Sequence, residues 1–585
     1  MPLLGVAANI SANMSASRFL LAIKLNSGVE ACWTAIKLLA VVLVLCRAPN
    51  AWLHLLEEAL QGRSIFEVSA IIYLLTFIFA ISSFFITSFL SSPLVRVSLV
   101  ALTMIPYGLD QIYTKITGHH LNHLYMRLLW VERSAVRDGY EFYLPLILET
   151  CVWLIPLTLI LMLPPPKAVS LGMKGGALSG AALLLTFGVI SNDQRVISAF
   201  PPPFVFPVAI GKILTDTGPA KNISGEVLQS PAITAPVRHI VLIVDESVRG
   251  DVLQLNRPDL DNTPYLVTQK LINYGVAVSG ANCSFASRVM LRFGLRRSDF
   301  GDSGIKDIYN RPSVWKYATS AGYRTTIIEG REGQRVFYMQ GNEARFINNY
   351  VEVSESAPNY RDVMIAARLK KELQDPRPSF ILVNKFGTHY PYETAYPPVY
   401  DGAHKKMVTK REGVNGKFRD RDELEDQAEF ARERDELRVA YGNALHWSVD
   451  GFFNKLLEGM DLRNVLIIYT SDHGQSLMDG GQRLSHCSDG IAQVGEGLVP
   501  LLATTGVPEI NAALTKAAAL GKNQYSHFEI FPTLLRSMGY QKNWVAAEYG
   551  GSLFDSPTAG ARQFLATGHS GWSSWIDSHT WRTVD

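Results

Sequence analysis

Three apolar runs end in residues that can bind a metal. His239–Val244 (HIVLIV) leads into Asp245-Glu246-Ser247. Ser379–Asn384 (SFILVN) leads through Lys385 into Phe386-Gly387-Thr388-His389. Asn464–Thr470 (NVLIIYT) leads into Ser471-Asp472-His473-Gly474, with Arg483-Leu-Ser-His486 downstream. Carboxylate oxygens and imidazole nitrogens in this mixture suit zinc, with manganese as second choice. Singly each signal is weak, because a strand-end Glu commonly caps the next helix and an Asp-His pair is as often solvated. The conjunction carries the weight, since three separate segments would have to agree by accident.

The elements around these residues account for their convergence. Besides the three runs, Arg324–Ile328 (RTTII) reads as a strand. Helical patterns alternate with the strands at Thr263–Tyr274, Ser313–Ala321, Tyr360–Leu373, Phe430–Leu457 and Ser526–Met538. Such alternation predicts a mostly parallel sheet covered on both faces, with ligands at the carboxyl ends of the strands. Lys405–Arg438 is densely charged and reads as a solvated insertion leading into a long helix. No internal repeat is present.

The rest of the chain is of another kind. Of 585 residues 48% are hydrophobic and only 18% charged, against ~25% charged in ordinary soluble proteins. A net charge of +2 excludes an overall basic nucleic-acid binder. The apolar excess lies in the first third. Val29–Cys46, Val68–Leu90, Leu94–Leu109, Phe142–Leu163 and Gly176–Ile190 approach the ~20 residues a membrane helix needs, which predicts about five spans. Arg18, Lys24, Arg96, Lys167 and Lys174 fall on one side of that arrangement, so the N-terminus is expected in the cytoplasm and everything after Ile190 outside. Within Asp110–Glu141, Leu121, Leu124, Tyr125, Leu128 and Leu129 form an amphipathic helix pattern, decorated by His119, His120 and His123. It would lie on the outer leaflet or pack under the outer domain, and its histidines read as solvated. Glu149 inside the fourth span is either functional or paired with Lys37 of the first. The expected division is a membrane domain over 1–191, a Pro-rich linker over 192–236 and a catalytic domain over 237–585. The five cysteines include no CxxC pair, which argues against a cysteine zinc site.

Glu246 within VLIVDESVRGD, His389 within FGTHYPY, the SDHG of 471–474 and the later His486 resemble the alkaline phosphatase/sulfatase superfamily. With the preceding spans, the chain resembles the membrane-bound phosphoethanolamine transferases of bacterial envelopes. Asn262-Thr-Pro-Tyr265, Ala440-Tyr-Gly-Asn-Ala444 and Phe531-Pro-Thr-Leu-Leu535 add to the likeness. The resemblance implies a C-terminal α/β sulfatase-like domain behind an N-terminal transmembrane bundle. It implies one or two zinc ions, the tighter held by Glu246, Asp472, His473 and the nucleophile, with His389 and His486 meeting phosphate or a second metal. The family nucleophile is a Thr four residues after a Cys, in a segment that caps a helix. Ser287 stands at that position after Cys283, and Ser284 is its rival. The alternative is that both serines only cap the helix.

The chain departs from that pattern at several positions. Asp245 replaces a glycine before the metal Glu, and Gln475 replaces the acid of DHGE. Lys385 replaces an uncharged polar residue; with Arg288 and Arg292 it would contact phosphate or be solvated. Phe293 stands where many relatives carry the second cysteine of a local disulfide. Cys283 is then expected as a free thiol, the alternative being a bond to Cys487.

The expected activity is transfer of phosphoethanolamine from phosphatidylethanolamine to lipid A, lipopolysaccharide core or another periplasmic glycan. The reaction would pass through a covalent Ser intermediate outside the inner membrane. The rival enzymes are a glycerol-phosphate transferase resembling lipoteichoic acid synthases and a sulfatase-like phosphodiesterase. No CxPxR or SxPxR sequence is present for a sulfatase formylglycine. The rival of another class is a catalytically dead membrane protein that senses envelope glycans.

Overall fold

The computed structural model describes residues 27–46, 86–117, 126, 140–165, 210, 225–227, 229–231, 235–300, 310–331, 339, 342–353, 356–400, 424–481, 486–487, 492–557, 560–567 and 580–584. The chain divides into two compact units, Met1–Arg127 with Tyr143–Thr217, and Leu128–Phe142 with Gly218–Asp585.

In the first unit three long helices are described: α1 (Ser27–Cys46), α2 (Pro93–Thr117) and α3 (Tyr140–Met162). Two stretches among the described residues, Pro93–Lys115 and Tyr143–Met162, are long and apolar enough to cross a membrane. Most of the expected Val68–Leu90 span, all of Gly176–Ile190, the amphipathic 121–129 segment and His119, His120 and His123 lie outside the described residues. Leu90, Ser91 and Ser92 are non-helical, and Pro93 opens α2, where its missing N–H costs nothing. That helix outruns the apolar Leu94–Leu109 stretch and reaches Thr117. Ala40, Val41 and Val44 of α1 pack on Val100, Met104 and Tyr107 of α2 and Leu161 of α3. Large apolar side chains such as Leu94, Leu102, Val152 and Leu159 remain exposed.

The expected Lys37–Glu149 pair does not form. Lys37 Nζ donates to the carbonyls of Ser88, Leu161 and Leu163 at 2.7–3.0 Å. It satisfies carbonyls that the helix ends around Ser88 and Leu163 would otherwise leave open. Glu149 instead meets Lys115 at 2.8 Å.

The second unit is built on a seven-stranded sheet in the order β2-β7-β6-β1-β5-β3-β4. The strands are β1 (His239–Asp245), β2 (Ile272–Val278), β3 (Arg324–Glu329), β4 (Asn349–Glu352), β5 (Ser379–Asn384), β6 (Val465–Ser471) and β7 (Leu498–Thr505). Neighbours are parallel except β7, which runs against both β6 and β2. Every residue of β1 is buried. Ile240, Leu242 and Val244 enter one core layer, and Val241 and Ile243 enter the other. That alternation explains why the strand reads as one unbroken apolar run. A two-stranded ribbon, β8 (Gln563–Ala566) with β9 (Thr580–Thr583), lies outside the main sheet.

The sequence reading misassigned one element here. The helix expected over Thr263–Tyr274 stops at Thr268, and Ile272–Val278 is the strand β2. Asn273, Gly275 and Pro500 obscured the β2–β7 pair. The β2–β7 register shifts between Asn273 and Val276, and Gly275 has φ +85°. A bulge of this kind accommodates Pro500, which has no N–H for the ladder. A Cβ on Gly275 would lie 2.0 Å from Asn523 Oδ1.

Lys385 follows β5 and is wholly buried, so the surface reading of this residue fails. Its Nζ lies 2.5 Å from Asp245 Oδ2, 2.5 Å from the Ser448 carbonyl and 3.4 Å from Asp362 Oδ2. Tyr469 of β6 donates to Asp245 at 2.8 Å. Lys385→Met strands Asp245 and Asp362 without their shared cation, and breaking a buried pair from one side costs about 3–5 kcal/mol. The expected readout is a lower Tm for the detergent-solubilised protein, partly recovered by adding Asp245→Asn. An unchanged Tm would show that the pair does not hold β1 to β5.

Candidate active site

The ends of the parallel strands fall on one edge of the sheet, and the side chains just beyond them converge. Ligand atoms of Glu246, Asp472 and His473 lie within 4.8 Å of one another, and all three residues are fully buried. Backbone bonds lock the two turns together. Asp472 N donates to the Asp245 carbonyl at 2.9 Å, and Ser247 N donates to Asp472 Oδ1 at 3.1 Å. Ser247 has φ +63°, a conformation that is costly for a non-glycine residue and common at functional turns. Its carbonyl accepts from Tyr441 Oη at 2.7 Å and Thr388 Oγ1 at 2.9 Å.

Thr388 ties in the third loop. Its backbone N donates to the Glu246 carbonyl at 3.0 Å. Asp362 receives the N–H groups of Phe386 and Gly387 at 2.9 and 3.1 Å. Gly387, at φ +65°, has to be glycine, because a Cβ would meet Asp245 Oδ1 at 2.5 Å. This packing brings His389 to the site, where burial and then Arg331 push its imidazole down to about 3.

Two buried carboxylates so close repel each other, and cations answer that. Arg288 donates to Glu246 Oε2 at 2.7 Å and to Asp472 Oδ2 at 3.2 Å. Arg331 lies 3.5 Å from Glu246 Oε2. Burial alone would raise Glu246, but Arg331, the hydrogen bond with His473 and Arg288 hold its carboxyl well below the usual value. Burial would lower His473, yet Asp472 and Glu246 push it up to about 9. Its Nδ1 lies 2.7 Å from the Gly474 carbonyl, so Nδ1–H donates there and Nε2 is the nitrogen turned to Glu246 and Ser284. His486 stacks on this ring, with centroids 4.4 Å apart and an angle of 21°.

The serines separate clearly. Helix α4 (Ser284–Phe293) follows β2, with Cys283 as its N-cap. Ser284 opens the helix, and its Oγ lies 3.3 Å from Glu246 Oε1 and 3.1 Å from His473 Nε2. Ser287 points elsewhere. Its Oγ donates to the Asp472 carbonyl at 2.5 Å and lies 3.3 Å from His527 Nδ1. Spacing from Cys283 favoured Ser287, whereas the helix start brings Ser284 to the ligands. Cys283 is not a free thiol: it is bonded to Cys487, with Cα atoms 4.9 Å apart. Phe293 is buried in an apolar cluster with Ala281, Ala286 and Met290.

Sequence reasoning missed Glu329, Arg331, Asp362 and His527. Glu329 was legible, because β3 runs one residue past the RTTII pattern and ends in a carboxylate like its neighbours. Its Oε2 accepts from Asn384 at 2.8 Å, and burial pushes it up to about 7. His527 carried no signal. Its Nδ1 accepts from Gly280 N at 3.1 Å, below the turn that leads to α4. The Asn262, Tyr441 and Thr533 motifs are structural: Asn262 bonds the Val252 carbonyl, Tyr441 the Ser247 carbonyl and Thr533 the Glu529 carbonyl.

The family model described as Sulfatase matches residues 238–540. No curated protein matches the chain. Among solved structures, the lipooligosaccharide phosphoethanolamine transferase A (EptA) of Neisseria meningitidis, an integral membrane protein, is 18% identical with a TM-score of 0.53. The match covers 86% of this chain and 97% of that one, more than the C-terminal unit alone could supply. The C-terminal periplasmic domain of EptC from Escherichia coli, solved in complex with Zn, is 19% identical with a TM-score of 0.45. That match covers 61% of this chain and 96% of that one.

Glu246, Asp472 and His473 follow directly from strands, while His486 reaches the site from a loop. Ligands on rigid elements are the better preorganised. Asp472→Ala and His473→Ala are expected to purify without bound metal, whereas His486→Ala keeps it, as measured by elemental mass spectrometry. Equal metal loss in all three variants would make His486 a primary ligand.

Proposed function

The chain belongs to the sulfatase family, and from that membership we propose that it is a membrane-anchored phosphoethanolamine transferase. The donor is phosphatidylethanolamine. The acceptor is a hydroxyl or phosphate of an envelope glycan such as lipid A. The N-terminal apolar helices over 1–191 anchor the enzyme, 192–236 links, and 237–585 works outside the bacterial inner membrane. The cytoplasmic N-terminus rests on the Lys and Arg pattern of the loops. The Cys283–Cys487 disulfide fits an oxidising compartment. Likeness of fold to the Neisseria transferase over 86% of this chain supports the same architecture.

The observation that carries the proposal is the Ser284 hydroxyl, 3.1 Å from His473 Nε2 at the first turn of α4. Glu246, Asp472, His473 Nε2 and Ser284 Oγ make a tight, buried O and N donor set that fits zinc. Zinc there would lower the pKa of the serine hydroxyl and draw charge from phosphate oxygens. The chain supplies the rest. Ser284 Oγ–H is aimed at Glu246 Oε1, which holds the oxygen ready for attack. The open N–H groups of α4 favour the phosphate charge, and Arg288 lies one turn further along the same helix. Ser284 Oγ bonds to phosphorus, the bond from phosphorus to the glycerol oxygen breaks, and diacylglycerol leaves with a proton. The acceptor oxygen then attacks phosphorus, the bond from phosphorus to Ser284 Oγ breaks, and the proton given up by the acceptor returns to Ser284 Oγ. His389 and His486 flank the position for phosphate or a second metal.

With fluorescent phosphatidylethanolamine and zinc, the detergent-solubilised protein is expected to release diacylglycerol. Ser284→Ala should lower that rate by on the order of 10⁶-fold, as removal of a nucleophile does. Ser287→Ala should retain most of it. The reverse ranking restores Ser287 as the nucleophile. Turnover of phosphatidylglycerol instead would identify a glycerol-phosphate transferase. A folded protein with no bound zinc and no turnover of either lipid would leave a glycan sensor.

A further inference from the structure

The disulfide does more than close a loop. Cys283 precedes Ser284, and Cys487 follows His486, so one covalent bond joins the neighbours of two site residues. Both residues meet at one ring. Ser284 Oγ lies 3.1 Å from His473 Nε2, and His486 stacks on the same imidazole at 4.4 Å.

Both sides of the bridge are anchored by hydrogen bonds. On the nucleophile side, Asn282 N donates to the Leu565 carbonyl at 3.1 Å. Its side chain donates to Glu496 and accepts from Thr567 N, each at 2.8 Å. On the histidine side, Cys487 N donates to the Asn282 carbonyl at 3.0 Å, and Cys487 sits at φ +58°. A non-glycine residue adopts that backbone only where surrounding bonds impose it. His486 belongs to no helix or strand, and the corner at Cys487 beside it is tied to the Asn282-Cys283 turn by that hydrogen bond and by the disulfide.

We propose that the Cys283–Cys487 bridge is a positioning device of the active site, which holds His486 on the His473 ring that Ser284 also meets and makes transfer fast only in the oxidised protein. The substrate side of this inference rests on the function proposed above. Forming the bond removes two electrons and two protons from the thiols, taken up by an external disulfide that becomes two thiols. The reverse step with a dithiol yields the two cysteines and a cyclic disulfide. The primary metal trio Glu246, Asp472 and His473 lies outside the bridge, so opening it should spare metal binding while the reacting groups lose register. Misplacement on the scale of 1 Å can cost ~100-fold in rate.

The test compares three forms of the full-length, zinc-loaded protein in detergent: oxidised wild type, wild type reduced with dithiothreitol, and the Cys283→Ser/Cys487→Ser double variant. Zinc content, Tm, kcat and KM are measured with phosphatidylethanolamine and, separately, with the chromogenic diester bis(4-nitrophenyl) phosphate. The expected result is retained zinc and fold, kcat lower by about 100-fold, and little change in KM. Reoxidation by glutathione disulfide should restore the reduced wild type but not the double variant. Unchanged kcat in both opened forms overturns the proposal. Loss of zinc, or a fall in activity that follows only the fraction unfolded, also overturns it, because the bridge is then a stability staple. Should wild type cleave the chromogenic diester but not the lipid, the lipid reading fails while the diester rates still decide the role of the bridge. Should it cleave neither, both readings fall.

Discussion

Two carboxylates, Glu246 and Asp472, are buried beside each other at the heart of the catalytic unit, and their repulsion has to be balanced. The Arg288 guanidinium supplies the balance by bonding both at 2.7 and 3.2 Å. Arg331 adds a second positive charge, and the two carboxylates push His473 up to about 9. A divalent cation at this cluster would take the place of the His473 proton, so that the imidazole is neutral and the ion answers the carboxylates. The same repulsion also explains why Arg288 lies four residues after Ser284: one helical turn returns a side chain to the same face. The nucleophile candidate and the balancing cation therefore come from a single element, whose direction is set by β2 and the turn at Cys283.

Beneath this layer lies a second one that fixes the backbone. Asp245, Lys385, Asp362 and Tyr469 bind β1, β5 and β6 to one another at the strand ends. Asp245 Oδ1 also receives the Glu246 N–H at 2.9 Å. Buried charges of this kind add little net stability over apolar packing. Here they orient the segments that present Glu246 and His389. Thr388 and Tyr441 complete the arrangement by bonding the carbonyl of the left-handed Ser247.

The sheet was legible because buried parallel strands are apolar throughout and their ends are polar. β1, β5 and β6 stood out on that basis, and with them Glu246, His389, Asp472 and His473. β2 and β7 did not. Asn273, Gly275 and Pro500 interrupt the pattern at a bulge that only pairing makes intelligible. The choice between Ser284 and Ser287 turned on where α4 begins, and helix boundaries are the least determined feature of a sequence. Arg331 and His527 act through tertiary proximity alone. Lys385 read as a phosphate contact or a solvated residue, and only the buried Asp245 and Asp362 beside it show that its Nζ is engaged within the core.

The departures from the transferase pattern make sense in pairs. A carboxylate at position 245, where the resembling enzymes carry glycine, would be untenable in the core alone. A lysine at position 385, in place of an uncharged residue, would be equally so. Together they form a bonded pair at 2.5 Å, so each substitution supplies the condition for the other. The cysteines follow the same logic. Phe293 removes the local partner of Cys283 and fills an apolar cluster instead, while Cys487 offers a distant partner beside His486. The long-range link couples α4 to the histidine loop, so the change of partner alters which parts of the site are held together. Read singly, these residues look like lost family features. Read with the contacts, Asp245 is matched by Lys385 and Cys283 by Cys487, around the cluster of Glu246, Asp472 and His473.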